Sequence, residues 1–475
     1  MQTEVIVVGA GPTGLMLANE LTLAGIPVVV LEKQRTRSAQ SRAGGLQPRT
    51  AEVLDLRGLL DPLLDRAIPR GEFGGHFAGL PVELDCRPWQ TRHPYPVAIP
   101  QTRLEAFLEQ RLVDQGVPVL REFEVSAIEQ DSGGVTVGDI RGGYLVACDG
   151  GHSTVRKLLG VPFPGTAGTM ASAVADLTLA SRSDTVPSIS EHFSQYFKSG
   201  NGFFTVLHPI EGGVYRFIFG KLGAERTDRQ TPVTAAEVEE ALQAVYGPET
   251  RLGELREASR FSDAARQVER YREGRVFFAG DAAHIHLPIG GQGVNLGVQD
   301  AVNLGWKLAA AVHGWAPEGL LDSYHTERYP VAARVLRTTR AQGVILNSDQ
   351  NENVAAVRDM FTDLLRLPEA NYFVSGLMSG LDTQYAGLGP RMIDLDLTTP
   401  DGPTRMSHLM HSGRGLLLSL DDTPRSIERW SDRVDHVTAK ADGNTTSVLI
   451  RPDGYIAWSA ADEQPLETAL TRWFG

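Results

Sequence analysis

The run Thr3-Glu4-Val5-Ile6-Val7-Val8-Gly9-Ala10-Gly11-Pro12-Thr13-Gly14 passes from an apolar strand through a glycine turn straight into a helix. Gly9 suits a tight turn, Gly11 removes a side chain where a pyrophosphate must approach backbone, and Gly14 lets helix and strand pack closely. Free N–H groups at the helix start then face the anion. A second strand, Ile26 to Leu31, ends at Glu32, where a carboxylate can accept hydrogen bonds from a ribose diol. A glycine turn alone reads as an ordinary βα connection. Strand, turn, helix, strand and acid in register predict a dinucleotide site.

The chain of 475 residues, 42% of them hydrophobic, has the length of about three domains and the apolar content of packed cores. Its net charge of −13, with Lys and Arg scattered, opposes nucleic-acid binding. Cys86 and Cys148 are the only cysteines and form no CxxC, so neither a disulfide framework nor a zinc cluster is expected. The first strand begins almost at the N-terminus, and no apolar run approaches the ~20 residues of a membrane span. A cytoplasmic protein without signal peptide or membrane partner is the expectation.

Ser38 to Thr50 reads as a polar ligand-facing loop and Ala51 to Leu64 as a helix. The stretch from Gly71 to Ala98 reads as strand-like pieces, and Gln101 to Gln115 as an amphipathic helix. Strands follow at Val117–Val125, Val135–Val137 and Gly143–Cys148, the last ending at Asp149-Gly150-Gly151. From about Val161 to Phe261 the pattern becomes an antiparallel sheet with one helix near Ala235–Val245. Arg275 to Asp281 is again a buried strand ending in a turn, followed by the long helix Val294–Val312, so the first domain is discontinuous. The expected division is 1–160 with 262–330 for a Rossmann-type domain, 161–261 with part of 71–100 for a sheet domain, 331–390 as a helical connection, and 391–475 as a small α/β domain.

Three separated segments converge on one ligand: the opening glycine turn, Asp149-Gly150 with Ser153 and Arg156, and Gly280-Asp281 with Pro288 and Gly290-Gly291-Gln292-Gly293. In order and spacing they resemble the three fingerprints of the class A flavoprotein monooxygenases, the para-hydroxybenzoate hydroxylase type, through about residue 330. The remainder is similar to that of angucycline hydroxylases and rifampicin monooxygenases, which implies a thioredoxin-like C-terminal domain; here it carries no cysteine. The implied fold is α/β: a Rossmann-type FAD-binding domain, an antiparallel-sheet substrate domain and that C-terminal domain.

The resemblance assigns FAD contacts to Gly9, Gly11, Gly14, Glu32, Arg42, Gln101, Asp149, Gly280, Asp281, Gly293, Val294 and Asn295. Arg42 matches an arginine on a mobile-flavin loop, Gln101 a glutamine at a helix start, and Pro288 a proline whose carbonyl lies beside substrate. Asp281, at a strand's carboxyl end, is placed to bind ribityl hydroxyls. Amides of Val294, Asn295 and Leu296 suit negative charge on reduced flavin. Read alone, Arg42 is a solvated charge, Gln101 a first-turn residue, Asp149-Gly150 a turn and Pro288 a loop stiffener.

Phe203, Arg216 and Phe217 lie on the sheet that roofs the substrate cavity in this family, and alternate residues must point inward. Arg216 interrupts an apolar strand; the expectation is that it faces the cavity and pairs with a phenolate or quinone oxygen, because an unpaired buried guanidinium is costly. His76, His208 and Tyr215 are acid–base candidates without an assignment. His284 and His286 have metal-like spacing but no third ligand nearby. Arg35 and Arg37 read as a solvated face.

No second Rossmann unit is present, so the resemblance implies that NADPH or NADH docks transiently and reduces a resident FAD. Oxygen then forms a flavin hydroperoxide that an electron-rich aromatic ring attacks. The expected activity is hydroxylation of a large polyketide-like phenol, with monomer or homodimer both open. The alternatives are inactivation of a rifamycin-type naphthohydroquinone antibiotic, and a flavin oxidoreductase or non-catalytic flavin protein of this fold. A halogenase is disfavoured by the absence of WxWxIP, and a disulfide reductase by the missing CxxC.

Overall fold

The computed structural model describes residues 1–38, 43–69, 71–170, 172–188, 191–221, 228, 231–346, 352–443 and 446–475. The apolar run β1 (Val5–Val8) enters α1 (Pro12–Leu23), and β2 (Val28–Glu32) pairs parallel to β1. The helix expected over Ala51–Leu64 is divided into α2 (Pro48–Asp55) and α3 (Leu60–Leu64). Gly58 at φ +63°, with Leu59 N–H donating to the Leu54 carbonyl, closes α2 by a glycine cap before Leu64 is reached.

The strand-like pieces expected between 71 and 98 do not form a sheet. Only the bridges Gly75–Leu84 and Leu46–Val97 and a 3-10 turn at Arg87–Trp89 occur there, since Pro81, Pro88, Pro94 and Pro96 each lack a ladder donor. α4 (Gln101–Asp114) leads to β3 (Val119–Arg121), the meander of β4 (Glu129–Gln130), β5 (Val135–Val137) and β6 (Ile140–Gly142), then β7 (Tyr144–Ala147) and α5 (Thr154–Leu158).

The chain leaves through β8 (Gly165–Thr166) into β9 (Ser172–Ser181), β10 (Phe197–Gly200), β11 (Phe203–Pro209), β12 (Tyr215–Lys221), α6 (Ala235–Tyr246) and β13 (Arg251–Phe261). These strands form an antiparallel sheet of order β10-β11-β12-β9-β13. A capping box at Thr234 and Glu237 starts α6. β14 (Ala265–Gln267) pairs with β8, and β15 (Arg272–Glu273) and β16 (Val276–Phe278) return to the first sheet, completing the order β15-β16-β7-β1-β2-β3. All of its pairs are parallel except β15–β16, and the sheet takes its strands from two separated stretches of chain.

β17 (His284–Ile285), α7 (Gln292–Val312), α8 (Ser323–Leu346), α9 (Glu352–Leu365) and α10 (Pro368–Ser379) follow. The last domain holds the hairpin β18 (Asp396–Thr399) and β19 (Gly402–Arg405), then β20 (Gly415–Ser419), β21 (Val434–Thr438), β22 (Val448–Ile450), β23 (Ile456–Ser459) and α11 (Leu466–Phe474). Its sheet runs β21-β20-β22-β23, with β20 and β21 parallel and the other pairs antiparallel. No helix among the described residues is long and apolar enough to cross a membrane.

Candidate flavin and substrate site

The glycines of the opening turn divide by what surrounds them. A β-carbon on Gly9, at φ +108°, would collide with the Cys148 carbonyl oxygen, and one on Gly14 would collide with the Gly9 carbonyl oxygen. On Gly11 a β-carbon would meet nothing within 4 Å. The first two glycines therefore serve the protein's own packing, and Gly11 keeps open a groove against the first turn of α1, whose N-cap has no side-chain acceptor. Glu32 lies beside the turn, with Oε2 accepting from the Ala10 N–H at 2.9 Å and Oε1 from the Gln34 N–H at 2.8 Å.

Asp149 caps α5: Oδ2 accepts from the N–H groups of Thr154 and Val155 at 2.7 and 3.1 Å. Its Oδ1 is buried with no partner, the signature of an acceptor waiting for a donor. Arg156 donates to the carbonyls of Gly151 and Ala282 at 2.8 and 2.9 Å, tying this turn to the Gly280–Ala282 turn. There Asp281 is exposed and has no hydrogen-bond partner among the described residues. Gly280 stands at φ +59° against Thr13 of α1, so the second and third turns border the same groove as the first.

The Gly280 turn is held by a buried network that sequence reasoning missed. Asp300 of α7 accepts from the Gly280 N–H at 3.1 Å and His284 Nε2 at 2.7 Å through Oδ2, and from Arg328 Nε at 2.7 Å through Oδ1. Arg328 also donates to Tyr385 Oη and the Leu296 carbonyl. Burial alone would raise the Asp300 carboxyl, but Arg328 and His284 overcome it and hold the group below the ordinary range. The signal available in the sequence was a charge on the apolar face of a long helix. His284 is thus committed to Asp300 and His286 Nδ1 to the Leu287 carbonyl, and no cluster of three ligating side chains exists among the described residues.

At the far end of the groove Pro288 is exposed, and Gly290 and Gly291 take φ of 71° and 62°, which turns the chain into α7 without a side-chain N-cap. Gly293 and Val294 lie in its first turn, half-buried. Asn295 does more than lend an amide. Its Oδ1 accepts from the Gln47 N–H at 2.7 Å and its Nδ2 donates to the Gly291 carbonyl at 2.6 Å, while Gln47 Nε2 donates to the Gly290 carbonyl at 2.9 Å. The Gln101 N–H donates to the Ala43 carbonyl at 3.0 Å, so Ala43 and Gln47 are both held in place. Arg42 lies outside the described residues.

The antiparallel sheet resolves which side chains face inward. Phe203 and Phe217, with Tyr215, Leu207 and Phe219, pack against Val238, Ala241 and Leu242 of α6. They face away from the groove, and Tyr215 Oη accepts from Arg182. The opposite face carries Phe204, Val206, His208, Arg216 and Ile218 by alternation and looks onto the 75–80 segment, where Gly79 approaches Phe197 and His76 stacks on Phe193 at 4.0 Å. Arg216 is on this inner face, but its guanidinium is not bare. Asp176, its cross-strand neighbour, accepts from Nε at 2.9 Å and Nη2 at 2.8 Å, so the guanidinium does not depend on a phenolate or quinone oxygen as its sole partner.

Both free thiols are shifted toward the protonated form. Burial pushes Cys86 up to about 11 and Cys148 well above its usual value, Asp149 adding to the latter.

Residues 2–339 match the family model described as FAD binding domain, and residues 386–475 match aromatic-ring hydroxylase, C-terminal. The solved anhydrotetracycline hydroxylase OxyS from Streptomyces rimosus has a TM-score of 0.90 and 43% identity, covering 100% of this chain and 99% of that one. A curated rifampicin monooxygenase from Streptomyces venezuelae is 43% identical over 99% of this chain and 98% of its own. The solved CabE, an aromatic hydroxylase from angucycline biosynthesis, has a TM-score of 0.89 and 39% identity, covering 100% of this chain and 99% of that one.

Proposed function

The chain belongs to the FAD-binding-domain family of flavoprotein monooxygenases, and from that premise we propose that it hydroxylates a large, polyketide-like phenol with NADPH or NADH as transient reductant. The carrying observation is the convergence of three turns, where Gly11 leaves open space, Asp149 Oδ1 lacks a partner and Asp281 has no hydrogen bond among the described residues, together with the Pro288–Gly291 turn that opens α7. These donors and acceptors fit FAD. When bound, FAD supplies the redox and oxygen-activating chemistry.

The chain's own residues bind and orient. The first-turn amides of α1 take the pyrophosphate, Glu32 the adenosine ribose, and Asp149 and Asp281 the hydroxyls of the linking chain. Amides of Gly293 and Val294 at the start of α7 donate to the oxygen of the flavin ring that gains charge on reduction. Gln101 and Arg42 complete the contacts, and the Pro288 carbonyl borders the substrate. Phe197, Val206 and Ile218 keep the chamber dry, which suppresses unproductive oxidation of the reductant.

The test is anaerobic reduction of FAD-loaded protein by NADPH and by NADH, with and without 1,8-dihydroxyanthraquinone or rifampicin, followed by mass spectrometry under ¹⁸O₂. Substrate-stimulated reduction and a product heavier by one labelled oxygen are expected. Reduction with no ligand stimulation and no labelled product from any polycyclic phenol refutes the proposal. The rifampicin monooxygenase relative favours a second reading, antibiotic inactivation, which predicts turnover of rifampicin over biosynthetic phenols.

A further inference from the structure

We infer that Asp176 converts Arg216 from an anion receptor into a donor for an uncharged oxygen, so that this enzyme takes neutral polycyclic ketones, quinones or phenols and rejects aromatic carboxylates. The inference rests on the reading of the inner sheet face as the substrate chamber. Arg216 of β12 and Asp176 of β9 are directly paired across the sheet, and both point to the face opposite α6. Their side chains retain 10% and 15% exposure, so the pair lies at the chamber wall rather than inside the domain core.

The geometry divides the guanidinium in two. Nε and Nη2 are spent on the two oxygens of Asp176 in a bidentate pair. Nη1, with two N–H groups, meets no acceptor among the described residues, and it is not sealed from the chamber. Around it are the cross-strand partner His208 and, two pairs further along and next on the same face, Val206 and Ile218. The chamber thus offers two hydrogen-bond donors on a wall where Asp176 balances Arg216 and exposed Glu257, paired with Asp176 from β13, adds further negative charge, with Val206 and Ile218 on the same face.

A bare guanidinium in such a place would favour a carboxylate strongly, because two opposite charges offset the desolvation of both. Here a carboxylate reaching Nη1 gives up its hydration and meets Asp176 a few ångströms beyond the same guanidinium, so like-charge repulsion opposes it. A carbonyl or phenol oxygen loses little hydration and gains both donors. Nη1 also anchors the oxygenated edge of a flat ring system, leaving its remaining surface against Val206 and Ile218.

The inference is tested by calorimetric titration of FAD-loaded protein with 1,8-dihydroxyanthraquinone and with 4,5-dihydroxyanthraquinone-2-carboxylic acid, which adds one carboxylate. The wild type is expected to bind the uncharged compound at least about tenfold more tightly. In Asp176→Asn the guanidinium keeps its charge but loses its counter-charge, and the preference shifts toward the carboxylate by at least about tenfold. Should Asp176→Asn not fold, the double variant Asp176→Leu/Arg216→Met replaces the pair by apolar groups of similar size, and binding of the uncharged compound weakens as both donors are lost. Equal binding of the two compounds by the wild type overturns the inference. So does a preference unchanged by Asp176→Asn, or an affinity for the uncharged compound unchanged in the double variant. Failure of every form to bind either compound instead overturns the reading of a polycyclic phenol substrate, and the inference with it.

Discussion

Arg451→Met is the perturbation that best probes how the C-terminal domain is joined to the flavin domain. Arg451 is fully buried in the turn after β22, and its guanidinium donates to Glu327 Oε1 and Oε2 at 2.7 and 2.8 Å and to Asp453 Oδ1 at 3.0 Å. Lys307, also fully buried, donates to Glu327 Oε2 at 2.8 Å, and Asn303 bridges Glu327 and Asp453. Two carboxylates thus share two cations in a buried site. The methionine keeps much of the packing against Trp306 and Trp473, which flank the guanidinium at 5.2 and 4.5 Å, but leaves two carboxylates facing one ammonium. Breaking a buried pair from one side costs about 3 to 5 kcal/mol. That is a large share of the ~5 to 15 kcal/mol by which native proteins are stable. Urea unfolding followed by tryptophan emission measures it, both Trp306 and Trp473 being reporters of this junction. The charge argument has a sharper consequence in the double variant Arg451→Met/Asp453→Asn, which restores neutrality and keeps the Asn303 contact. It should be more stable than Arg451→Met alone. A single-variant loss below about 1 kcal/mol, or a double variant less stable than the single, refutes the reasoning.

Gly11→Ala and Gly14→Ala should separate cofactor binding from folding: the first leaves stability nearly unchanged but weakens FAD binding at least about tenfold by fluorescence titration, and the second destabilises the protein by about 1 to 3 kcal/mol or more because the new methyl collides with backbone. Burial alone would raise Glu327, but Lys307 and Arg451 hold it well below the ordinary carboxylate range. Below about pH 4.3 the unfolded chain therefore binds a proton that the folded chain does not, so stability falls as pH falls, and Glu327→Gln should flatten that part of the urea-midpoint profile while lowering stability at pH 7. Asn295→Ala frees the Gln47 N–H and the Gly291 carbonyl, and a shifted flavin absorbance band with faster FAD loss in dilution assays is expected. A chain ending near residue 390 loses Arg451 and Asp453, as well as the Asp453 and Pro452 carbonyls that accept from Arg49 and Arg57, and should be insoluble or release FAD. A soluble, monodisperse and fully active product would contradict the joint role of that turn.

The parts of the molecule legible in the sequence were those governed by local rules. The opening βαβ unit, the helix at 235–246 and the long α7 follow from periodicity and capping acting over a few residues. The three glycine and aspartate turns were recognisable because each needs a particular residue at a strand's end. Where prolines outvoted apolar alternation, between 71 and 98, strand signals misled, and the glycine cap at Gly58 cut a helix that periodicity alone would have carried to Leu64.

Partners distant in the chain were invisible for a plain reason: a charge carries no mark of the opposite charge it will meet. Asp300 with Arg328 and His284, Arg451 with Glu327, and Arg216 with Asp176 are joined only when helices and strands pack, and each changes what its residue can do. Local sequence thus determined the βαβ turn in which Gly9, Gly11, Gly14 and Glu32 stand. Packing settled which face of the antiparallel sheet looks inward, turning Phe203 and Phe217 away and leaving Arg216 inside, neutralised. Alternation along a strand restricts a side chain to one of two faces, and the face that becomes the chamber wall is chosen only by where α6 buries the other.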